Sequence, residues 1–547
     1  MITPPRSRLV PPPAPAGGGR GGAEQPARDL YSFEELWRHW RRCRSNKRST
    51  ANALRFEFDV EANLFALQQE LREHTWKPGR SICFVTDGPK PREVFAADFR
   101  DRIVHHLLVS RLEPGFERQF IQDSFACRRG KGTLAASDRL MAFLRRSTAN
   151  GKRRTYALKL DVASFFTSID KARLATILER TVRDPELRWL SRTLLFHDPT
   201  EDYRFKPHGP RGKRSRARPG PDSEAYPVPA PKSLFGKENQ RGLPIGNLTS
   251  QFWANVYLNE LDQFVKRELK VGFYLRYVDD LVLLSEDPAQ LEDWHKSIER
   301  FLRAELGLEL RADKARPRLV SSGVDFVGWQ TWWSHRLPRR RTLAALEARL
   351  RQFERIAVRP IEGGRVLRID LETPAPPQAI QRRAASPATA SKALHASLAS
   401  YSGHLRHGAA WGSFERLFAA RPWLEVLFER QGFAVAERFP LARIDAAQDF
   451  RRRYWEAIRR AGPRCLVFQK VGRFIEFRGP QRSVAEAVLQ LRTARIRRGG
   501  YLYACGFPRH RAANFRTRAL DAGVSVLDLV GWQQQRRLFV PAPATFS

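Results

Sequence analysis

Three aspartates that end or interrupt apolar runs are the residues of this sequence best suited to chemistry. Asp161 ends the run YALKLD, and Asp279 and Asp280 lie side by side in FYLRYVDDLVLLS. Adjacent ionised carboxylates between strand-like runs are costly, because they repel each other and lose hydration, unless a cation faces them. If the two runs are neighbouring strands and the pair lies at a tight turn, Asp161 and Asp279 converge on one site. A turn aspartate and a solvated hairpin tip are the alternative.

A site made only of carboxylates favours a hard cation. Mg²⁺ takes one or two protein carboxylates and completes its shell with waters and substrate phosphates. Two such ions about 3.5–4 Å apart can activate a 3′-hydroxyl and stabilise a pyrophosphate leaving group. Convergence of the aspartates therefore predicts nucleotidyl transfer with two Mg²⁺ ions, and the nucleotide it would use is a separate question.

The charge balance predicts a polyanionic partner. The 547 residues contain 96 Lys and Arg against 58 Asp and Glu, a net charge of +38, and 11% are aromatic. Such an excess repels itself unless nucleic acid shares the surface, and aromatic rings can stack on bases. An anionic membrane is the alternative, although no run approaches the roughly 20 apolar residues of a spanning helix. Five dispersed cysteines predict neither disulfides nor zinc, and a cytoplasmic location is expected.

Composition also divides the chain. Ser32 and Glu35 have the spacing of a capping box, so ordered structure is expected to begin near residue 29. The Pro/Gly-rich stretch 203–240 is expected to be an exposed loop. The Pro/Ala-rich stretch 359–391 is expected to be an insertion. The predicted units are a disordered tail (1–28), an α+β unit (29–333) with the exposed loop (203–240), a basic helical unit (334–430) with the insertion (359–391), and a small α/β unit (440–547).

Five further segments resemble the motifs of reverse transcriptases, in the order of that family. The resemblance covers about residues 29–420 and implies a right-hand polymerase with α+β fingers and palm and a helical thumb. It also implies a template RNA, a primer or cDNA duplex and, optionally, a small accessory protein as partners. The segments are KPREVFAADFRDRIVHH (90–106), LEPGFERQFIQDSFACRRGKGT (112–133), RGLPIGNLTSQFWANVYLNELDQFV (241–265), LELRADKARP (308–317) and GVDFVGW (323–329).

The resemblance assigns roles to the acidic site and its surroundings. Asp161 and Asp279 are expected to bind both metal ions, with help from the backbone carbonyl of Val162, and Asp280 is a supporting carboxylate. Phe166 occupies the position of a bulky residue that excludes the 2′-hydroxyl of a ribonucleotide, unless it is an ordinary core side chain.

Five basic residues are expected near the nucleotide phosphates, because guanidinium and ammonium groups bind phosphate. Four are candidates to hold the triphosphate, and the fifth could protonate or neutralise the departing pyrophosphate. Solvated side chains or surface phosphate contacts are the alternatives. The triphosphate candidates are Lys90, Arg92, Arg128 and Lys131, and the pyrophosphate candidate is Lys314.

Residues 245–251 of the third segment, called the helix motif below, indicate which kind of reverse transcriptase the chain resembles. It reads IGNLTSQ, whereas group II intron and retroviral enzymes usually carry Gln-Gly and Ser-Pro there. This version is similar to the enzymes of diversity-generating retroelements. Gly246 is expected to let the backbone approach the nascent base pair, and Gln251 to lie beside the template base. An antiviral-defence enzyme, a group II intron-like enzyme and a non-catalytic nucleic-acid-binding protein are the alternatives.

The C-terminal segment, residues 465–530, resembles domain I of the mismatch-repair protein MutS. Phe474 and Glu476 match the pair that family inserts into DNA, where the ring stacks on a mispaired base and the carboxylate accepts a hydrogen bond. Arg473 and Ile475 depart from the family pattern. The resemblance implies a module that holds distorted duplex; packing of Phe474 in the strand core is the alternative.

Overall fold

The computed structural model describes residues 29–45, 50–86, 90–207, 220–238, 240–311, 315–361, 366–371, 390–438, 450–462, 464–495, 503–529 and 537–541, without side chains for 450–453 and 495. The predicted tail (1–28) and Lys314 lie outside these ranges. Each helix within them is too short or too polar to cross a bilayer.

The N-terminal part is helical with a small sheet. The backbone N–H of Glu35 donates to Ser32 Oγ at 3.4 Å, so the first helix begins at the predicted cap. Apolar side chains of α1, α3 and α4 share a core with the palm helices. The elements are α1 (Phe33–Arg44), α2 (Ala51–Phe58), α3 (Val60–Arg72), β1 (Ser81–Val85), β2 (Glu93–Ala96), α4 (Phe99–Glu117) and α5 (Thr133–Ser147).

The central part is built on an antiparallel four-stranded sheet of order β5-β6-β3-β7. Leu158 and Leu281 face one core, whereas Ala157 and Val282 face another. Burial on both faces explains why these strands read as continuous apolar runs. The elements are β3 (Tyr156–Asp161), α6 (Phe165–Ser168), α7 (Lys171–Thr181), α8 (Pro185–Phe196), β4 (Tyr203–Lys206), α9 (Leu248–Gln263), β5 (Tyr274–Tyr277), β6 (Asp280–Ser285), α10 (Pro288–Phe301), β7 (Arg318–Leu319), β8 (Val324–Phe326), β9 (Trp329–Thr331) and β10 (Arg336–Pro338).

The expectation of an exposed loop over 203–240 is wrong in part, because residues Tyr203–Lys206 form strand β4, and Val228, Ser233 and Leu234 are buried. Strand β4 pairs in parallel with β1. The buried carboxylate of Glu93 on β2 accepts hydrogen bonds from Tyr226 Oη (2.9 Å), Ser233 Oγ (2.7 Å) and the N–H of Leu234 (2.8 Å). A buried carboxylate needs such partners, and they tie the Pro-rich segment to the fingers sheet.

The remaining elements form the unit predicted to be a helical thumb, called the thumb below, and the C-terminal unit. Strands β16, β17, β19 and β18 make an antiparallel sheet in that order, with α16 and α17 packed nearby. The elements are α11 (Arg340–Ala357), β11 (Val358–Ile361), β12 (Val366–Asp370), α12 (Ala390–Leu405), α13 (Trp411–Ala419), α14 (Trp423–Leu427), β13 (Phe428–Gln431), β14 (Ala434–Glu437), α15 (Phe450–Ala461), β15 (Cys465–Phe468), β16 (Lys470–Val471), β17 (Phe474–Phe477), α16 (Pro480–Leu489), β18 (Ala494–Arg495), β19 (Tyr503–Pro508), α17 (Ala512–Asp521), β20 (Ser525–Asp528) and β21 (Arg537–Pro541).

A five-stranded sheet of order β11-β12-β21-β20-β15 joins the thumb to the C-terminal unit. Its alternate side chains face two cores: Leu367 and Leu538 face the thumb helices, and Val526 and Phe539 face the C-terminal core. Two expectations are therefore corrected. The described part of the predicted insertion 359–391 contains most of β11 and all of β12, while residues 362–365 and 372–389 lie outside the described ranges. The predicted unit at 440–547 is not separate, because it shares this sheet with the thumb.

Candidate active site

The acidic pair lies at a two-residue hairpin turn between β5 and β6. Tyr277 pairs with Asp280 across the hairpin, so Val278 and Asp279 form the turn. Val278 has a φ of +55°. A β-branched residue is rarely found in this left-handed region, and holding it there costs on the order of 1–3 kcal/mol. Contacts from the surrounding structure must therefore hold Val278 in this conformation.

Strand β3 brings Asp161 to the same end of the sheet. Asp161 pairs with Asp280 on the neighbouring strand, and the N–H of Val162 donates to the carbonyl of Asp279 at 3.4 Å. The structure therefore places the three predicted aspartates and Val162 together, as adjacency of the two apolar runs required.

The electrostatics of this cluster favour a bound cation. Burial and the neighbouring carboxylate of Asp161 raise the pKa of Asp279 to about 6. Asp280 forms an ion pair with Lys159 at 3.2 Å, and Asp161 forms one with Arg311 at 3.5 Å. The raised pKa of Asp279 means that its negative charge is incompletely compensated within the cluster.

The donor chemistry fits a hard divalent cation. In the described ranges no three His, Cys, Asp or Glu side chains are grouped so that they could hold a metal by themselves. Two carboxylates and a backbone carbonyl suit Mg²⁺, which retains waters and takes further oxygens from substrate phosphates. Asp161, Asp279 and the Val162 carbonyl are the residues that would hold it.

Phe166 lies at the edge of the core. Its ring is half-buried and meets the fully buried Phe165 edge-to-face at 5.4 Å. Its carbonyl accepts a 2.7 Å hydrogen bond from the N–H of Leu243, which precedes the helix motif. Phe165 is thus the core aromatic of this pair, and part of the Phe166 ring remains accessible.

Two of the four triphosphate candidates are committed to structural contacts. Arg128 donates to both oxygens of Glu117 at 2.6–2.9 Å and to the carbonyls of Ile121 and Ser124. Lys131 donates to two carbonyls and lies over the ring of Phe125, and burial lowers its pKa to about 8. The expectation that Arg128 holds a triphosphate is corrected, because these partners take most of its N–H donors. For Lys131 two of three N–H donors are engaged, and its phosphate contact stays a prediction.

The other two candidates face solvent. Lys90 and Arg92 are exposed, and the charge of Arg92 lowers the pKa of Asp279, although burial and Asp161 raise it more. Arg92 therefore lies within electrostatic reach of the acidic cluster. Contact of Arg92 or Lys90 with a nucleotide phosphate stays a prediction.

The helix motif has a structural reason for its glycine. Gly246 has a φ of +128°, and a Cβ there would lie 2.7 Å from the carbonyl oxygen of Phe95. The close approach within the fold is to the fingers strand β2, and the expected approach of Gly246 to a nascent base pair stays a prediction. Gln251 is exposed and accepts a contact from the Cys127 thiol at 3.5 Å.

A buried ion pair behind the hairpin escaped the sequence analysis. Arg276 and Asp262 both have fully buried side chains and are joined by three hydrogen bonds of 2.6–3.0 Å. Arg276 also donates to the carbonyl of Val278 at 3.0 Å. The signal was available, since Arg276 is a charged residue inside an apolar strand run.

The predicted aromatic contact of the C-terminal unit is on the surface. Phe474 is 48% exposed and follows a tight turn at Gly472, which has a φ of +59°. Packing of Phe474 in the strand core is therefore excluded. Glu476 is held by Arg478, whose Nη2 lies 2.6 Å from its Oε2.

Comparison with known proteins identifies the class of the central part. Residues 88–331 match the family described as reverse transcriptase (RNA-dependent DNA polymerase), and the chain therefore contains a reverse transcriptase domain. Nuclear intron maturase 1, mitochondrial, from Arabidopsis thaliana is 26% identical over 222 residues. That match spans 37% of this chain and 29% of the maturase, so the chain spans less than a third of its relative.

Two solved telomerase structures share a weaker, structural likeness at 11% sequence identity. Telomerase from Candida albicans, in complex with the TWJ fragment of telomeric RNA, matches with a TM-score of 0.33 over 48% of this chain and 46% of its own. Apo telomerase from Candida tropicalis, truncated from its C-terminal domain, matches with a TM-score of 0.32 over 50% and 58% of the two chains.

Proposed function

We propose that this protein is an RNA-directed DNA polymerase that adds deoxynucleotides to a primer 3′-end. The observation that carries the proposal is the meeting of Asp161 and Asp279 at one end of the palm sheet, inside the segment that matches reverse transcriptases. These carboxylates would hold two Mg²⁺ ions, which when bound activate the 3′-hydroxyl and neutralise the leaving pyrophosphate.

The chain's own residues bind and orient the reactants. Arg92 neutralises the triphosphate, and the accessible part of Phe166 lies under the sugar, where a 2′-hydroxyl would collide with it. Asp280, tied to Lys159, stays a supporting carboxylate. Lys314 remains the predicted partner of the pyrophosphate. The basic excess of the chain binds the phosphates of the template–primer duplex, and a small accessory protein is a further proposed partner.

Primer extension tests the proposed function directly. The full-length protein is incubated with Mg²⁺, labelled deoxynucleotides and a DNA primer on an RNA template. Stepwise extension that requires the RNA template is expected. Duplex binding without any extension would instead favour a non-catalytic nucleic-acid-binding protein.

Arg92→Ala is expected to raise the KM for deoxynucleotides about tenfold, because a charge-assisted hydrogen bond contributes roughly 1.5–3 kcal/mol. Arg128→Ala is the control: it removes an arginine whose donors are held by Glu117 and two carbonyls, so it should lower the melting temperature more than it changes KM. Steady-state kinetics and thermal unfolding of both variants measure these effects. A larger rise in KM for Arg128→Ala than for Arg92→Ala would instead assign the phosphate contact to Arg128.

We further propose the diversity-generating type, on the basis of the Ile-Gly and Ser-Gln residues of the helix motif. The similarity to an intron maturase favours a group II intron-like enzyme as the second candidate. Sequencing the cDNA distinguishes them: errors concentrated at template adenines support the first, and evenly spread errors support the second. A role in antiviral defence is a third proposal.

The C-terminal unit is proposed to bind distorted duplex in the manner of MutS domain I. Phe474→Ala in the full-length chain should weaken binding of mismatched duplex about tenfold, since stacking on one base contributes roughly 1–3 kcal/mol. Phe58→Ala, which removes a 95% exposed ring from α2, is the control. An equal loss of affinity for matched and mismatched duplex would contradict the proposed preference for mismatched duplex.

A further inference from the structure

The strained turn that carries Asp279 is held from behind by a buried charged network. Arg276 Nη1 donates to the carbonyl of Val278 at 3.0 Å and to Asn255 Oδ1 at 3.2 Å. Its remaining bonds go to Asp262, which also accepts from Tyr274 Oη at 2.7 Å. Asn255 and Asp262 both lie on α9, the helix that follows the Ile-Gly motif.

A guanidinium is required by this geometry. It must donate to a carboxylate through Nε and Nη2 and, through Nη1, to the turn carbonyl and an amide oxygen. A planar fork does this in one orientation, whereas an ammonium is a single point of charge. Arg276 and Asp262 are both fully buried. Breaking the pair would leave an uncompensated charge in the interior and strongly destabilise the fold, so the two side chains stay in this arrangement.

We propose that Arg276 is a positioning residue that holds Val278 in its left-handed conformation and thereby fixes the Asp279 carboxylate for divalent-cation binding. It touches the turn backbone and not the reacting atoms. This inference rests on the proposed function for its catalytic meaning, but its central claim concerns cation binding and can be measured without catalysis.

The test is a Mn²⁺ titration of the full-length protein, with free Mn²⁺ followed by electron paramagnetic resonance. Arg276→Lys should bind Mn²⁺ about tenfold more weakly than the parent, because the carbonyl of Val278 loses its donor. Tyr274→Phe is the matched control. It removes a bond to the same Asp262 carboxylate but leaves the bond to Val278, so it should lower the melting temperature and leave Mn²⁺ affinity unchanged.

Rescue separates positioning from a general loss of structure. Glycine adopts positive φ without strain, so Val278→Gly in the Arg276→Lys background should restore most of the lost Mn²⁺ affinity. Circular dichroism checks that each variant is folded.

An Arg276→Lys variant that binds Mn²⁺ within twofold of the parent would overturn the proposal. So would absence of rescue by Val278→Gly, or absence of saturable Mn²⁺ binding in the parent. Failure of the proposed function is distinguishable, since it would leave the titration pattern intact while the parent extends no primer.

Discussion

Asp279→Ala is expected to abolish primer extension, with a loss of at least about a thousandfold, because metal-ion stabilisation of the transition state contributes several kcal/mol. Asp279 lies at the hairpin turn beside Asp161, and its raised pKa of about 6 reflects burial and that neighbouring carboxylate. Alanine removes the ligand and also relieves the repulsion, so the fold should be no less stable.

Affinity for the template–primer duplex should stay within about twofold of the parent, because basic residues elsewhere contact the phosphates. The measurements are single-nucleotide extension and duplex binding at one fixed salt concentration. Asp293→Ala, at an exposed carboxylate of α10, is the matched control and should retain full activity. If the Asp279→Ala protein still polymerises, the metal assignment is wrong.

Removal of residues 439–547 is expected to unfold the thumb rather than to release an independent module. The deletion takes away strands β15, β20 and β21, and β21 is the strand that pairs with β12 of the thumb. Among the buried thumb-core side chains lost with them are four Val and Leu side chains of these strands, and at roughly 1.5–3 kcal/mol each these four represent about 6–12 kcal/mol. The four are Val467, Leu527, Leu538 and Val540.

Limited proteolysis of the truncated chain measures this effect. Cleavage within α11 and α12 should become rapid, while the palm stays protected. Two point variants supply a matched pair in the full chain. Leu538→Ala, which faces the thumb core, should expose those helices to the protease, whereas Phe477→Ala, which faces the C-terminal core, should not. A protected thumb in the truncated chain would mean that the shared sheet contributes little.

Much of the candidate site was predictable because its signals are local. The continuous apolar runs around Asp161 and Asp279 predicted strands that could lie side by side, and β3 and β6 pair in the palm sheet. The cost of adjacent carboxylates predicted a tight turn, and the turn lies at Val278 and Asp279. These inferences depend on periodicity and on the types of neighbouring residues, which the sequence displays directly.

The partners of charged groups were not predictable. Arg128 and Arg92 are alike as residue types, yet Arg128 is held by Glu117 and two carbonyls whereas the side chain of Arg92 is exposed. The Pro-rich stretch after β4 was expected to be an exposed loop, because no residue near it in the sequence indicates that Tyr226 and Ser233 donate hydrogen bonds to the distant Glu93. The function of a charge depends on which distant groups fold beside it.

Residue types and their spacing were sufficient to predict the three acidic residues and the alternation of strands and helices, and the resemblance of several segments to reverse transcriptase motifs predicted the class of domain. The pairing of β12 with β21, the exposure of Phe474 and the hydrogen bond from Arg276 to the turn carbonyl became evident only in the folded chain. The physical reason is that pairing, exposure and hydrogen bonding of such groups depend on contacts between residues far apart in the chain.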